Sequence, residues 1–159
     1  MEFAVKAFNE LTPEELYEII KTRFDIFVIE QNVICRDLDD VDKEAIHVFC
    51  RRDDGRVAGC LRVFWKDEAD RVAQIGRVVT LEHGLGIGGE LLKKGFEIAK
   101  GMGAKSICLH SQEYAIGYYQ KAGFQVVSDL FLEDTIPHVE MELRLGSAED
   151  ASSVDTPTK

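Results

Sequence analysis

Residues 74–102 read QIGRVVTLEHGLGIGGELLKKGFEIAKGM, and the order of residue types in this stretch decides the fold. Ile75, Val78 and Val79 make an apolar, β-branched run of the kind that fills a buried strand. After Leu81 the chain places glycines at 84, 86, 88 and 89, and then Leu91, Leu92, Phe96, Ala99 and Met102 recur at helical spacing. A strand, a glycine loop and a helix in succession form an anion-binding device. Glycine lacks the Cβ that holds a ligand away from the backbone, and the first helical turn presents unpaired N–H groups carrying roughly half a positive charge at the end of the axis. A phosphate or pyrophosphate fits such a place.

Three loops of this kind must be separated. A P-loop needs GxxxxGK followed by Ser or Thr, and neither the lysine nor the hydroxyl follows Gly89 at that spacing. The dinucleotide fingerprint GxGxxG is matched by Gly84, Gly86 and Gly89, and Glu113 stands near where a ribose-binding acid is sought. That fold opens its parallel series at the loop, however, whereas here a helix-poor half precedes it and too little chain follows for two mononucleotide halves. The third loop is the one that holds an acyl-coenzyme A, and the remaining residues must choose.

A chain of 159 residues, 45% hydrophobic and 30% charged, predicts a single globular domain over 1–146 with a real core. Its formal charge of −10 speaks against nucleic acid, which needs a basic face, and is compatible with a cationic small substrate. Cysteines 35, 50, 60 and 108 contain no CxxC, and histidines 47, 83, 110 and 138 contain no HxxxH, so no metal site is expected. The N-terminal MEFAVKAFNE is too short and too acidic for a signal peptide, and no apolar run reaches membrane-spanning length. No membrane partner and a cytoplasmic location are the expectations.

In chain order, Phe3 to Phe8 alternates as a first strand, and Thr12, Pro13 and Glu15 form a capped helix start. Leu16, Ile19, Ile20, Phe24, Phe27 and Val28 line one face of that helix, which ends or kinks near Glu30. Asp37, Asp39, Asp40 and Asp42 lack the spacing of a calcium loop and read as a solvated loop beside a substrate mouth. Ile46–Arg52 and Arg56–Trp65 are strands joined by an Asp53-Asp54-Gly55 turn, and Val72–Leu81 is a third. After the loop and helix come a strand over 106–110, parallel to the one before the helix, and a short helix over 114–122. A strand opens at Phe124, and the last one runs from His138 to Leu143 behind Pro137. Residues 147–159 are small, polar and acidic and are expected to be disordered.

This order resembles the GNAT superfamily of N-acetyltransferases, with GLGIGGELL at 84–92 in the place of its acyl-coenzyme A loop and AIGYYQKAGF at 115–124 in the place of its second motif. RFDIFVIEQNVI at 23–34, DLDDVD at 37–42, IGRVV at 75–79, LHSQ at 109–112 and FLEDTIPHVEM at 131–141 resemble its ElaA-like and YjcF-like branch. Two departures stand out: His83 replaces the usual basic residue or glutamine before the first glycine, and the link from Arg77 to Gly84 is short.

The resemblance implies an α/β (α+β) fold with a mixed central sheet, antiparallel N-terminal strands, and a splay at the acyl-coenzyme A site. It implies direct transfer of an acetyl group from acetyl-CoA to a primary amine, on a small molecule or a protein, and admits a homodimer. Val78 and Val79 would bind the pantetheine arm and acyl oxygen, and Gly84, Leu85, Gly86, Ile87, Gly88 and Gly89 the pyrophosphate. Tyr119 would protonate the leaving thiolate. Glu30 and His138 are the candidates to take the amine proton, and His47, His110 and Gln112 would line the acceptor pocket. The rival readings are a non-catalytic acyl-CoA sensor and, behind it, a dinucleotide-binding oxidoreductase. The tail lacks apolar residues to join a core, so deleting 147–159 is expected to leave the melting temperature and transfer rate unchanged, measured on the full and shortened chains side by side.

Overall fold

The computed structural model describes residues 1–146, so the expectation for 147–159 lies outside the described residues. Its elements are β1 (Glu2–Ala7), α1 (Pro13–Phe24), β2 (Ile46–Arg51), β3 (Val57–Asp67), β4 (Val72–Thr80), α2 (Ile87–Met102), β5 (Ser106–Gln112), α3 (Ile116–Lys121), β6 (Gln125–Val126), β7 (Phe131–Glu133) and β8 (Ile136–Arg144). The strands hydrogen-bond in the order β1-β2-β3-β4-β5-β8-β6, with β7 also on β8. The described residues fold into two compact units, Met1–Phe64 with Ile75–Ile98, and Trp65–Gln74 with residues 99–146.

In the first unit β1 and β2 pair antiparallel from Glu2 opposite Arg51 to Ala7 opposite Ile46. β2 pairs antiparallel with β3, with an irregularity at Cys50 and Arg51. Gly55, at a φ of +89°, makes the turn between them. Helix α1 begins as its residues require: Thr12 Oγ1 accepts from the Glu15 N–H, and Glu15 accepts from the Thr12 N–H and from Lys6 Nζ. From Asp25 to Glu30 the helix widens into a π turn, closed by the Gln31 N–H donating to the Ile26 carbonyl at 2.9 Å. Ile19, Ile26, Phe49, Val57, Cys60 and Val79 form a core cluster, each apolar side chain stabilising by roughly 1.5–3 kcal/mol. Two glycines set how closely α2 packs. A Cβ on Gly59 would lie 3.0 Å from Ile87 Cγ2 and 3.1 Å from the Val79 carbonyl, and one on Gly95 would lie 3.1 Å from Ile75 Cδ1.

The acidic stretch departs from the reading as a solvated loop. Arg23 on α1 is buried and donates to Asp37 at 3.0 Å and to both oxygens of Asp42 at 2.8 and 3.2 Å. Arg62 on β3 donates to Asp39 at 2.9 and 2.7 Å and to Asp42 at 3.0 Å. Arg77 on β4 reaches the Asp37 carboxylate at 2.8 Å, the Asp37 carbonyl at 3.0 Å and Asp39 at 3.2 Å. Three arginines from three elements thus take up three of the four aspartates, and Asp40 alone stays exposed. Counting charge along the chain missed this because each arginine lies far from its partners in sequence.

In the second unit β4 pairs in parallel with β5 over three residues, Val72–Gln74 with Ser106–Cys108. β5 pairs antiparallel with β8 from Ser106 opposite Arg144 to Gln112 opposite His138. Here the last strand starts earlier than the sequence indicates, at Ile136, and takes in Pro137. A two-residue hairpin explains it. Asp134 and Thr135 both adopt left-handed φ, +51° and +66°, the geometry of a type I′ turn, and Phe131–Glu133 folds back on Ile136–His138 as β7. Lacking the Asn-Gly or Asp-Gly signal, that turn is invisible in the sequence. Pro137 is tolerated because it sits opposite Leu132 at a non-hydrogen-bonded position and one residue beyond the β5 ladder.

The arginine network carries a stability expectation. Burial alone would raise Asp42, but the hydrogen bonds and charges of Arg23 and Arg62 outweigh it and hold the carboxyl below its ordinary 3.8. Asp39, against a smaller burial cost, is held at about 2 by Arg62 and Arg77. Burial likewise lowers His47, whose Nε2 donates to the Asp42 carbonyl at 2.8 Å. In each case the unfolded chain binds protons more readily than the native one. Stability therefore falls with pH first below about 6.5 through His47, then between about 4 and 2 through the aspartates. Asp42→Asn leaves two buried guanidiniums short of a counter-charge. It is expected to cost roughly 3–5 kcal/mol, a fall in Tm of about 6–20 °C read by thermal unfolding at pH 7.

Candidate active site

The glycine loop lies in the first unit. Gly84 and Gly86 take φ of +82° and +74°, a region that side chains with a Cβ rarely adopt. Both are exposed, and a Cβ built on Gly84, Gly86 or Gly89 would meet nothing within 4 Å, so open space lies over the loop. The Gly86 carbonyl accepts the Glu90 N–H at 3.1 Å, which makes Gly86 the residue at the mouth of α2 and leaves the N–H groups of the first turn pointing outward. Ile87 and Leu91 anchor that turn in the core, while Leu85 is 58% exposed. The loop thus has a fixed base and a bare rim.

Just upstream, Arg77 holds a φ of +54° in the middle of β4. Such a conformation costs a non-glycine residue about 1–3 kcal/mol and persists only where its surroundings impose it. The bonds from Arg77 to Asp37 and Asp39 supply that constraint. Val78 and Val79 follow directly, the first half-buried and the second buried. His47, opposite Arg62 on β2, is buried beneath this network with the Phe8 ring 6.4 Å away. Glu30, at the end of the π turn, is exposed.

In the second unit Tyr119 is buried on α3, edge-on to Tyr118 at 5.3 Å and to Phe124 at 5.9 Å. Burial raises its pKa well above the ordinary 10, with smaller contributions from Tyr118 and Tyr114, so the phenol keeps its proton across the neutral range. It can act as a proton donor and not as a base. Tyr118 is also raised by burial but is 48% exposed.

The strands of this unit bring further candidates onto one face. Alternation puts His110 and Gln112 of β5 beside Glu140 and His138 of β8, with Phe131 opposite His138 on β7, while Leu109, Val139 and Met141 point to the core. His110 Nδ1 lies 2.8 Å from Glu133 Oε1, and His138 Nε2 lies 3.8 Å from Glu133 Oε2. His138 Nδ1 is 2.7 Å from the Ile136 carbonyl. The Phe131 ring stacks on His138 and meets His110 edge-on. Lys66 donates to Glu140 at 2.8 Å.

With this geometry in view, comparison with known proteins is decisive. The sequence profile of the acetyltransferase (GNAT) family matches residues 9–124. The chain belongs to the GNAT family. Protein ElaA of Escherichia coli is 31% identical over 138 residues, 84% of this chain and 90% of its own length. Its crystal structure superposes with a TM-score of 0.82 at 27% identity, covering 90% of this chain and 99% of that one. An N-acetyltransferase of Bacillus subtilis, YjcF, whose role is uncharacterised, is 32% identical over 140 residues, 87% of this chain and 96% of its own. The crystal structure of an acyl-CoA N-acyltransferase from Pseudomonas aeruginosa gives a TM-score of 0.81 at 28% identity, over 90% and 99% of the two chains. The resemblance to the ElaA-like and YjcF-like branch therefore holds, and with it the mixed α/β GNAT fold.

Within this GNAT chain the structure gathers Val78, Val79 and Gly84–Gly89 in the first unit, and His110, Gln112 and His138 on one strand face of the second. His47 lies in the first unit, held by the buried network, and Glu30 lies in that unit at the surface. Glu133, Phe131 and Arg77 escaped the reading of the sequence as site residues. No signal announces Glu133, because β7 is three residues long and its turn has no glycine. Among the described residues no group of three or more His, Cys, Asp or Glu side chains is arranged to hold a metal ion, and no helix is long and apolar enough to cross a membrane. Gly86→Val forces a β-branched residue into the left-handed region and fills the open space, so coenzyme A affinity measured by calorimetry is expected to fall more than about tenfold. Gly101→Ala, in open space at the far end of α2, is expected to leave it unchanged.

Proposed function

We propose that this GNAT protein transfers an acetyl group from acetyl-CoA to a primary amine by direct attack, in the cytoplasm. The observation that carries the reading is the exposed loop with Gly84 and Gly86 in the left-handed region at the mouth of α2, inside a chain whose family is one of acyltransferases. A P. aeruginosa relative of the same fold is described as an acyl-CoA N-acyltransferase, which supports an acyl-CoA donor here.

The roles follow from chemistry. The loop amides and the dipole of α2 bind the pyrophosphate. Backbone groups at Val78 and Val79 pair with the pantetheine arm, and an N–H there polarises the thioester carbonyl. An amine near pKa 10 arrives charged and must lose a proton before it attacks. His138 takes it, in preference to exposed Glu30, because a neutral imidazole held by its Nδ1–H presents a lone pair at Nε2. Tyr119 gives the proton that the departing thiolate needs. The acceptor is a small cationic amine or a protein amine, in keeping with a net charge of −10.

An acceptor screen that reads free thiol released from acetyl-CoA tests the reaction, and thermal shifts with coenzyme A and with NAD test the donor. Stabilisation by NAD and none by coenzyme A would overturn the proposal. Tyr119→Phe keeps the ring against Tyr118 and Phe124 but removes the donor. Its Tm and coenzyme A affinity are expected to hold while kcat and kcat/KM fall together by about 10²- to 10⁴-fold, checked by single-turnover rates.

A further inference from the structure

Arg62 on β3 is buried, and its two terminal nitrogens are spent on Asp39 and Asp42. Its Nε–H has no acceptor among the described residues. A buried donor in that state has given up water and gained nothing in return. Other buried atoms without a hydrogen bond are placed differently. Arg77 Nε and Asp37 Oδ1 face each other at 2.8 Å, and the side chains of Arg56 and Glu18 reach solvent. The Arg62 side chain is only 4% exposed.

Beside that Nε lies the bare backbone of Gly76 on β4. A Cβ at 76 would stand 3.8 Å from Arg62 Nε and 3.8 Å from Phe64 Cε1, and would meet no other atom within 4 Å beyond its chain neighbours. These are ordinary contacts, and Gly76 is not in the left-handed region, so neither packing nor backbone requires glycine here. What a side chain would remove is the place itself. An oxygen at about 2.9 Å from Nε on this side would overlap the Cβ position. Gly76, Phe64 and Asp39 are half-buried, so the notch is open to solvent at its rim and closed at its floor.

The surrounding groups define what fits. An Nε–H only donates, so the ligand atom is an acceptor. The charge of Arg62 is already met by Asp39 and Asp42, and Arg23 and Arg77 share those carboxylates, so the notch does not call for an anion. A neutral oxygen suits it, with the edge of the Phe64 ring against the carbon beside that oxygen. Val78, whose backbone is assigned to the thioester, follows two residues further along the same strand.

We infer that the notch over Gly76 is an acceptor subsite, in which the Arg62 Nε–H binds a hydroxyl or amide oxygen of the amine to be acylated. This rests on the reading of the protein as an amine acyltransferase and narrows its acceptor to amines that carry such an oxygen. Arg62 and Gly76 hold the far end of the substrate and select it, without touching the reacting atoms.

The test uses the full chain labelled with ¹⁵N at arginine, the Arg62 Nε signal being identified by its ring-current change in Phe64→Leu. Ethanolamine and 3-amino-1-propanol are titrated, each against the amine with a methyl group in place of the hydroxyl, n-propylamine and n-butylamine. The amino alcohols are expected to shift the Arg62 Nε signal saturably, with apparent affinities more than about tenfold above those of their methyl partners. A site with a buried donor to satisfy rejects the analogue that lacks the acceptor. Gly76→Ala should abolish the difference with Tm unchanged, since its Cβ meets only ordinary contacts. Equal affinity within each pair, no saturable response, or a preference that survives in Gly76→Ala overturns the inference. The two proposals fail separately. A preference for the amino alcohols with no thiol release from any amine refutes transfer and leaves the subsite. Thiol release with equal kcat/KM for the two members of each pair refutes the subsite and leaves transfer.

Discussion

The interaction on which the first unit depends is the buried network of Arg23, Arg62 and Arg77 with Asp37, Asp39 and Asp42. It ties a segment with little regular structure, residues 31–45, to a helix and two strands, and it does so with charges that are costly to bury singly and tolerable only when matched. The acidic segment is held in place by geometry instead of by an apolar face of its own. The same network fixes Arg77 in a left-handed conformation inside β4, immediately before Val78 and Val79, so the strain in that strand and the order of the loop beside it have one source.

The glycine loop shows a different division of labour. Ile87, Leu91 and Leu92 sink into the core and make the start of α2 rigid, while Gly84, Gly86 and Gly89 keep its outer surface bare. Gly59 and Gly95 serve a purpose inside the fold, letting the helix approach the strands closely. Glycines of one sequence stretch thus do opposite things, some keeping the rim of the loop bare and one removing room between helix and sheet.

In the second unit a polar face arises from strand alternation. Once β5 and β8 pair in the observed register, Leu109, Val139 and Met141 must face the core, and His110, Gln112, His138 and Glu140 must share the other side. The short hairpin then delivers Glu133 and Phe131 to that side from well beyond the end of β5 in the sequence. Tyr119 belongs to the same unit and is both a packing residue and a buried donor, with burial explaining the two properties together.

What the sequence determined by itself is whatever depends on neighbours along the chain: the capping box of Thr12 and Glu15, the Asp53-Asp54-Gly55 turn, the loop from Gly84 to Gly89, α2, and through their order the GNAT fold. It also marked Tyr119, His110, Gln112 and His138 by their motifs. Only the tertiary structure decided the fate of the acidic stretch, because Arg62 and Arg77 meet Asp39 from far along the chain, and that charge pairing is a contact in space. It alone revealed Glu133 and moved the start of β8 to Ile136, since a three-residue strand and a glycine-free turn are stable only against a neighbour that the local sequence does not contain.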